Sequence, residues 1–279
     1  MPSKAEKSSD CSHINLNRPL PRATRPVRSS SRLKAADLDF DSLLFDCDGV
    51  LVDTEAQGHR VAFNQAFQQK GLNVEWPLEL YGELLHTGGG KERMTRHFTE
   101  LGDKGPFSGK DEAQQQELVK ELHLLKTDLF MKMIEEGQMP LRTGVQRLIS
   151  EAIAAGIKVA VCSTSNERAV SKIRDVLLGP DIAAKMQVYA GDIVPKKKPD
   201  PAVYLLAAKE LSVDPSRCVV VEDSGIGLKA ATSAGMRCLV TTSSYTKDED
   251  FSKASAVVPE LGDKVTLESL TTEGLASLA

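Results

Sequence analysis

The 279-residue chain has no apolar run that approaches the length of a bilayer span, so nothing in its sequence reads as a membrane protein. It has no surplus of positive charge either. Its formal net charge is −4, which removes the usual electrostatic footprint of a nucleic-acid binder. Its five cysteines include no Cys-x-x-Cys pair, and Cys47, Cys162, Cys218 and Cys238 all fall in or beside segments that read as strands. That pattern fits buried, reduced thiols better than disulfides or a zinc site. No internal repeat is visible. One stretch lacks acids altogether: from Cys11 to Ala36 there are six basic residues (Arg18, Arg22, Arg25, Arg28, Arg32, Lys34) among serine, proline and alanine. This Ser/Arg-rich, acid-poor composition resembles an organelle transit peptide, the alternative being a basic tail without such a role. Residues 1–40 are therefore set apart from the fold. The whole chain is 41% apolar and 27% charged, ordinary for a globular α/β protein with an insert.

The strongest positive signal is Ser42-Leu43-Leu44-Phe45-Asp46-Cys47-Asp48-Gly49-Val50. A short apolar run reads as a buried parallel strand, and its carboxyl end is where open α/β sheets place ligands. Asp46 and Asp48 start on one side of the strand, because side chains alternate. Two converging acids repel unless a cation lies between them or one keeps its proton. The pair suits Mg²⁺ and phosphate chemistry, with one acid attacking phosphorus and the other moving protons. A strand-end turn with merely solvated acids is the competing reading.

Three later segments supply context. Ser163 follows the apolar run Val159–Cys162 and precedes a helix expected from about Asn166, where a hydroxyl and free backbone N–H groups can hold a phosphate oxygen. A plain helix cap is its alternative. Lys198, in Lys196-Lys197-Lys198-Pro199, can neutralise both a phosphate and a nucleophilic carboxylate, and Pro199 restricts its backbone to extended conformations. Lys196 and Lys197 read as a solvated charge run. Glu222-Asp223-Ser224 ends the run Cys218–Val221, and two acids there can complete an oxygen cage for a hard cation. Otherwise they are the favourable acidic start of a helix.

Between these landmarks, residues 54–140 show only helical periodicity. His59, Ala62, Phe63, Ala66 and Phe67 recur at helix spacing ahead of Gly71, and Leu118, Leu122, Leu125, Leu129 and Met133 form a second stripe. From residue 141 strands and helices alternate. Thr143 and Gln146 have capping-box spacing, Asp200-Pro201 reads as N-cap and first helical residue, and a strand is expected over Arg237–Thr241. The expected architecture is an α/β, Rossmann-like parallel sheet built from residues 41–53 and 141–279, with an α-helical insert over 54–140.

The order Asp46-x-Asp48-Gly49, Ser163, Lys198-Pro199, Glu222-Asp223 resembles the haloacid dehalogenase-like phosphatases over about residues 42–255, and the insert after the first motif resembles their C1 cap. Tyr81-Gly82-Glu83-Leu84-Leu85 with Gly88-Gly89-Gly90-Lys91-Glu92-Arg93-Met94 is similar to the CbbY-like branch of plants, algae and photosynthetic bacteria, as are the surroundings of Ser163 and Lys198. Members of that branch dephosphorylate xylulose 1,5-bisphosphate, an inhibitor of rubisco.

The resemblance implies Asp46 as nucleophile and metal ligand. Asp48 becomes the general acid/base and a metal ligand through its backbone carbonyl. Ser163 and Lys198 orient the phosphoryl group, Asp223 is a metal ligand, and Glu222 lies in or beside the metal's coordination sphere. It also implies Mg²⁺ as cofactor, a small sugar phosphate as substrate, a phosphatase of the Calvin-cycle compartment and a chloroplast stromal location. A monomer is the default. For the substrate, Gly89, Gly90, Lys91 and Arg93 are candidates for a second phosphate, the glycines otherwise being a hinge. His59, Arg142, Ser165 and Asn166 are further candidate contacts. A β-phosphoglucomutase-like mutase remains the alternative enzyme, and a non-catalytic binding protein the alternative class.

Overall fold

The computed structural model describes residues 33–87 and 89–279. The transit-like expectation for the first residues lies outside this range, as does Gly88. The chain enters through a short 3₁₀ turn at Ala35–Asp37 and then β1 (Ser42–Phe45). A π-helical turn at Thr54–His59 runs directly into α1 (Arg60–Gln69). It is followed by α2 (Leu78–Leu84), α3 (Gly90–Glu100) and the 24-residue α4 (Glu112–Glu135). The chain then alternates through α5 (Val145–Ala155), β2 (Lys158–Cys162), α6 (Glu167–Leu177), a short α7 (Pro180–Ala183) and β3 (Met186–Tyr189). It closes with α8 (Ala202–Glu210), β4 (Cys218–Glu222), α9 (Gly225–Ser233), β5 (Arg237–Thr241), β6 (Ala256–Val258) and α10 (Thr272–Leu278).

The six strands form one parallel sheet in the order β3-β2-β1-β4-β5-β6. This is a doubly wound order whose direction reverses between β1 and β4, the position at which such sheets open a crevice for ligands. The strands are apolar on both faces because both are covered. Leu43, Phe45, Val159, Val161, Val219 and Val221 face one core with α5 and α6. Leu44, Ala160, Cys162, Val220 and Cys238 face the other with α8 and α9. Each fully buried large side chain contributes about 1.5–3 kcal/mol relative to exposure. All four described cysteines are free and buried in these layers, as their positions in the strands led one to expect.

The helices between β1 and β2 have a core of their own, in which Phe63, Phe67, Trp76, Tyr81, Phe98 and Leu122 meet. The far half of α4 leaves it: Phe130, Met133 and Ile134 join the sheet's core. Gly71 ends α1 with a positive φ of 67°, as its place after the apolar stripe suggested.

Several local expectations shift. The packed chain begins before residue 41, since Leu38 and Phe40 are buried in the sheet's core. Their acidic neighbours Asp37, Asp39 and Asp41 masked that apolar pair. The N-cap of α5 is Gly144, not Thr143. Its φ is 86°, and any Cβ there would lie 2.3 Å from the Gly262 carbonyl oxygen, so tertiary crowding overrides the capping-box pattern. Asp200 Oδ1 accepts from Ala202 N at 3.0 Å, with Pro201 as N-cap, one residue later than expected. Strand β6, of three residues, and helix α10, of seven, are too short to be read from periodicity.

Candidate active site

The carboxyl ends of β1, β2 and β4 bring the four sequence motifs to one crevice. Asp46 directly follows β1, and its N–H donates to Val221 O at 2.9 Å, extending the β1–β4 ladder by one residue. Ser163 follows β2 and is held by its own N–H to Tyr189 O at 3.0 Å. Glu222 ends β4. Lys198 arrives from the loop after β3, preceding a cis Lys198–Pro199 peptide. A cavity of about 1040 Å³ opens here, walled below by Asp46, Asp48, Ser163, Ser165, Lys198 and Asp223. Its upper wall comes from the helical insert and includes Glu55, His59 and Gly82.

Lys198 organises the floor. Its ammonium donates to Asp46 Oδ1 at 2.8 Å, to Glu222 Oε1 at 2.7 Å and to Cys162 O at 2.8 Å, over the ring of Tyr204. Burial alone would lower the Lys198 pKa. Asp46 and Glu222 reverse that and hold it well above its ordinary value, so Lys198 is a permanent cation. Lys196 and Lys197 are exposed, in keeping with a solvated run.

Glu222 is fully buried, and both its oxygens are engaged. Oε1 accepts from Lys198 and from Tyr204 Oη at 2.7 Å. Oε2 accepts from Asp223 N at 3.0 Å and from Ser224 Oγ at 3.3 Å. Glu222 is thus the buried counter-ion of Lys198. Nonetheless, among the described residues Asp46, Glu222 and Asp223 each offer a carboxylate oxygen within 4.8 Å of the others. Asp223 is the freest of the three. Burial, then Glu222, pushes its carboxyl up to about 7 against the opposing Ser243 hydroxyl and Arg142. Burial likewise raises Asp46, with Lys198 pulling the other way and Glu222, Asp48 and Asp223 adding to the rise. Crowded, desolvated carboxylates that are costly to ionise together form a donor set suited to a hard divalent cation, which relieves that repulsion.

Gly49 makes the convergence possible. Its φ is 76°, and a Cβ there would lie 1.9 Å from Asp223 Oδ2. Only glycine lets the loop after β1 turn while Asp223 passes over it.

The Asp48 carboxylate faces hydroxyls rather than the other acids. Oδ1 accepts from Thr54 Oγ1 at 2.6 Å, and Oδ2 from Ser165 Oγ at 2.6 Å and Ser163 Oγ at 3.3 Å. Asp46 and Asp48 are thus brought to one cavity but given different surroundings, one salt-bridged and one hydroxyl-bound. Asn166 does not join them. Its Oδ1 caps α6, accepting from Arg168 N at 3.1 Å and Ala169 N at 3.3 Å, so the cap reading prevails at this position.

Arg142 was expected to touch substrate and does not line the cavity. Its guanidinium donates to the carbonyls of Gly49, Thr241 (3.0 Å), Thr242 (2.7 Å) and Pro259 (2.8 Å), leaving little to offer a ligand. Carbonyls exposed at strand ends need donors, and an arginine in the return linker meets several at once.

In the insert, Gly89 is the N-cap of α3 with a φ of 92°. Gly90 backs onto Phe63, where a Cβ would lie 3.0 Å from Cζ. Lys91 is exposed and outside the cavity wall. Arg93 donates to Thr87 O at 3.0 Å and Tyr81 Oη at 3.2 Å, and Tyr81 donates to Glu55 Oε2 at 2.6 Å. His59 reaches the cavity on the π-helical turn, about one turn after Glu55, which lines it too.

Behind His59 stands a residue that sequence reasoning missed. Lys126 is buried, and its ammonium lies 2.9 Å from His59 Nδ1 and 4.8 Å from the Phe63 ring centroid. Burial lowers Lys126 to about 8, Glu55 opposing and Arg93 adding. His59 is driven well below its ordinary value by burial and by Lys126, so its neutral ring accepts the bond. The signal was present: Lys126 interrupts the buried face Val119–Leu122–Phe130–Met133 of α4, a position where lysine is costly.

A haloacid dehalogenase-like hydrolase family model matches residues 40–235. The CBBY-like protein of Arabidopsis thaliana is 60% identical over 224 residues, covering 80% of this chain and 69% of that protein. Protein CbbY of Rhodobacter capsulatus is 38% identical over 82% of this chain and 97% of its own. A crystal structure of a mutant CbbY from Rhodobacter sphaeroides in complex with xylulose 1,5-bisphosphate superposes with a TM-score of 0.65 at 37% identity, over 83% of this chain and 99% of that one. With its acid pair, hydroxyl, lysine and second acid pair gathered at the carboxyl edge of one parallel sheet, the chain belongs to the haloacid dehalogenase-like hydrolases, in their CbbY-like branch, and is a phosphoric monoester hydrolase.

Proposed function

We propose that this enzyme is a Mg²⁺-dependent sugar-bisphosphate phosphatase that converts xylulose 1,5-bisphosphate to xylulose 5-phosphate, removing an inhibitor of rubisco in the chloroplast stroma as a monomer. The observation that carries the substrate is the likeness to a CbbY structure holding xylulose bisphosphate, over nearly the whole of that protein. The 60% identical Arabidopsis relative supports a plant setting, and the acid-poor first residues fit a plastid address.

In this reading Asp46 Oδ attacks phosphorus and forms an aspartyl phosphate as the bond to the sugar oxygen breaks. Protonated Asp48 gives its proton to that leaving oxygen. Asp48 then takes a proton from the water that cleaves the aspartyl phosphate, releasing phosphate and restoring Asp46. Lys198 balances charge on Asp46 and on the transferring oxygens, while Ser163 and the N–H groups at the start of α6 position the phosphate. Asp46, Asp223 and the Asp48 carbonyl would hold Mg²⁺, whose chemistry there is to neutralise phosphoryl charge. Glu222 keeps Lys198 in place.

The second phosphate is assigned to the insert. Lys126 is a buried cation whose contacts are a neutral histidine and two aromatic rings, one of which, Phe63, also backs Gly90 at the start of α3. Such a charge is stabilised by an incoming anion. Lys126 is the proposed counter-charge for the distal phosphate, with neutral His59, Lys91 and Arg93 as further candidate contacts.

The test is phosphate release from xylulose 1,5-bisphosphate, ribulose 1,5-bisphosphate and hexose monophosphates, with Mg²⁺ and with chelator. Mg²⁺-dependent release, fastest for xylulose 1,5-bisphosphate, is expected. Preference for hexose monophosphates would remove the distal-phosphate assignment. Isomerisation of β-glucose 1-phosphate without phosphate release would make the enzyme a mutase.

A further inference from the structure

The loop that leaves β5, Thr242–Thr246, meets every connection between the insert and the sheet. At the outgoing crossing, Asp53 Oδ2 accepts from Ser244 N at 3.3 Å and from the Ser244 hydroxyl. At the returning crossing, Arg142 holds the loop's base through the carbonyls of Thr241 and Thr242. The tip of the loop crosses to the insert itself. The Tyr245 ring centroid lies 5.9 Å from that of Tyr81 on α2. A Cβ on Gly82 would lie only 3.2 Å from Tyr245 Cδ1 and Cε1, so the missing side chain forms the notch that the ring occupies. Gly82 and Tyr245 both line the cavity above Asp46. Tyr81, under the ring, carries the hydrogen bonds to Glu55 and Arg93. Among the described residues the buried Tyr245 hydroxyl has no hydrogen-bond partner, so the contact is made by the ring.

We infer that Tyr245 is a positioning residue: seated in the Gly82 notch, it clasps α2 to the sheet and closes the cavity over a sugar phosphate, taking no part in the phosphoryl chemistry beneath. Closure of this kind excludes water and fixes the substrate's far end, so its loss matters for a substrate that spans the cavity and little for one that sits only at Asp46. The choice of spanning substrate rests on the function proposed above; the clasp itself does not.

The experiment compares Tyr245→Ala, Tyr245→Phe and Gly82→Leu with the unaltered enzyme in Mg²⁺, on xylulose 1,5-bisphosphate and on p-nitrophenyl phosphate. Tyr245→Ala and Gly82→Leu are expected to lower kcat/KM for the bisphosphate about tenfold, the scale of one lost aromatic packing contact, with p-nitrophenyl phosphate changed less than about twofold. Tyr245→Phe should match the unaltered enzyme. Equal losses on both substrates, no loss on either, or a Tyr245→Phe variant as poor as Tyr245→Ala would each overturn the clasp. Hydrogen exchange provides a readout that does not depend on substrate identity. In Tyr245→Ala, peptides spanning 78–84 should exchange faster while those of β1 do not, and unchanged exchange there would also overturn it. If the unaltered enzyme ignores xylulose 1,5-bisphosphate, the proposed substrate fails, and exchange alone decides the clasp.

Discussion

Gly227 and Glu222 compete for one volume. A Cβ at residue 227 would lie 1.9 Å from the Glu222 carboxyl carbon, so the first turn of α9 leaves a hollow that the buried carboxylate fills. Gly227→Ala gains helix propensity of about 1 kcal/mol at most, yet it must push out the partner of Lys198. Because breaking a buried ion pair is strongly destabilising, we expect a net loss of about 2–4 kcal/mol in urea unfolding, together with a fall in activity. A variant as stable as the parent would mean that Glu222 does not need this hollow.

Asp46 and Asp48 differ in surroundings and should differ in their failures. Asp46→Asn removes the attacking oxygen's charge, and turnover should vanish. Asp48→Asn keeps the shape but cannot move a proton, so kcat should fall by about 10²–10⁴ while substrate still binds. Steady-state kinetics with ligand titration separates the two. Near-normal turnover by Asp46→Asn would sink the mechanism.

The acid cluster makes the metal-free protein sensitive to pH in a defined direction. Asp223 is raised to about 7 by burial and by Glu222. Between its unfolded value and about 7 the folded state therefore binds the extra proton, and stability falls as pH rises through that window. In chelator, melting temperature should be higher at pH 5.5 than at pH 8, and Asp223→Asn should flatten that slope. Protons and metal compete for the same oxygens, so Mg²⁺ should raise the melting temperature more at pH 8 than at pH 5.5. An equal metal effect at both pH values would argue against Asp223 as a ligand.

Lys126, lowered to about 8 by burial, should govern affinity for a bisphosphate. Its charge is present below that value and lost above it. KM for xylulose 1,5-bisphosphate should therefore rise above pH 8, and kcat for a monophosphate should not follow. Lys126→Met, of similar length, should raise KM for the bisphosphate about tenfold, the worth of roughly one charge-assisted hydrogen bond, and remove the rise above pH 8. Equal effects on both substrates would place the distal phosphate elsewhere.

The sequence alone determined the parallel sheet, the insertion after β1, and the floor of the site. Those features are local: apolar runs of strand length end in Asp46, Ser163 and Glu222, and the sheet's topology carries such strand ends to one edge whatever the rest of the chain does. Lys198 was legible for the same reason, sitting between a strand and a helix. What only the tertiary structure decided are contacts between segments far apart in the chain. Arg142 spends its guanidinium on carbonyls of Gly49, Thr241, Thr242 and Pro259, which no spacing rule brings together. Asn166 rather than Ser163 became the cap, because Ser163 is held by Tyr189 and turned toward Asp48. Glu222 became a counter-ion through Tyr204 and Lys198. Lys126 came to stand behind His59 because α4 lies against the π-helical turn that carries it. A side chain's type and period tell where it points along its own element. Which partner it then meets depends on how the elements pack, and at a site built from six segments that packing assigns the roles.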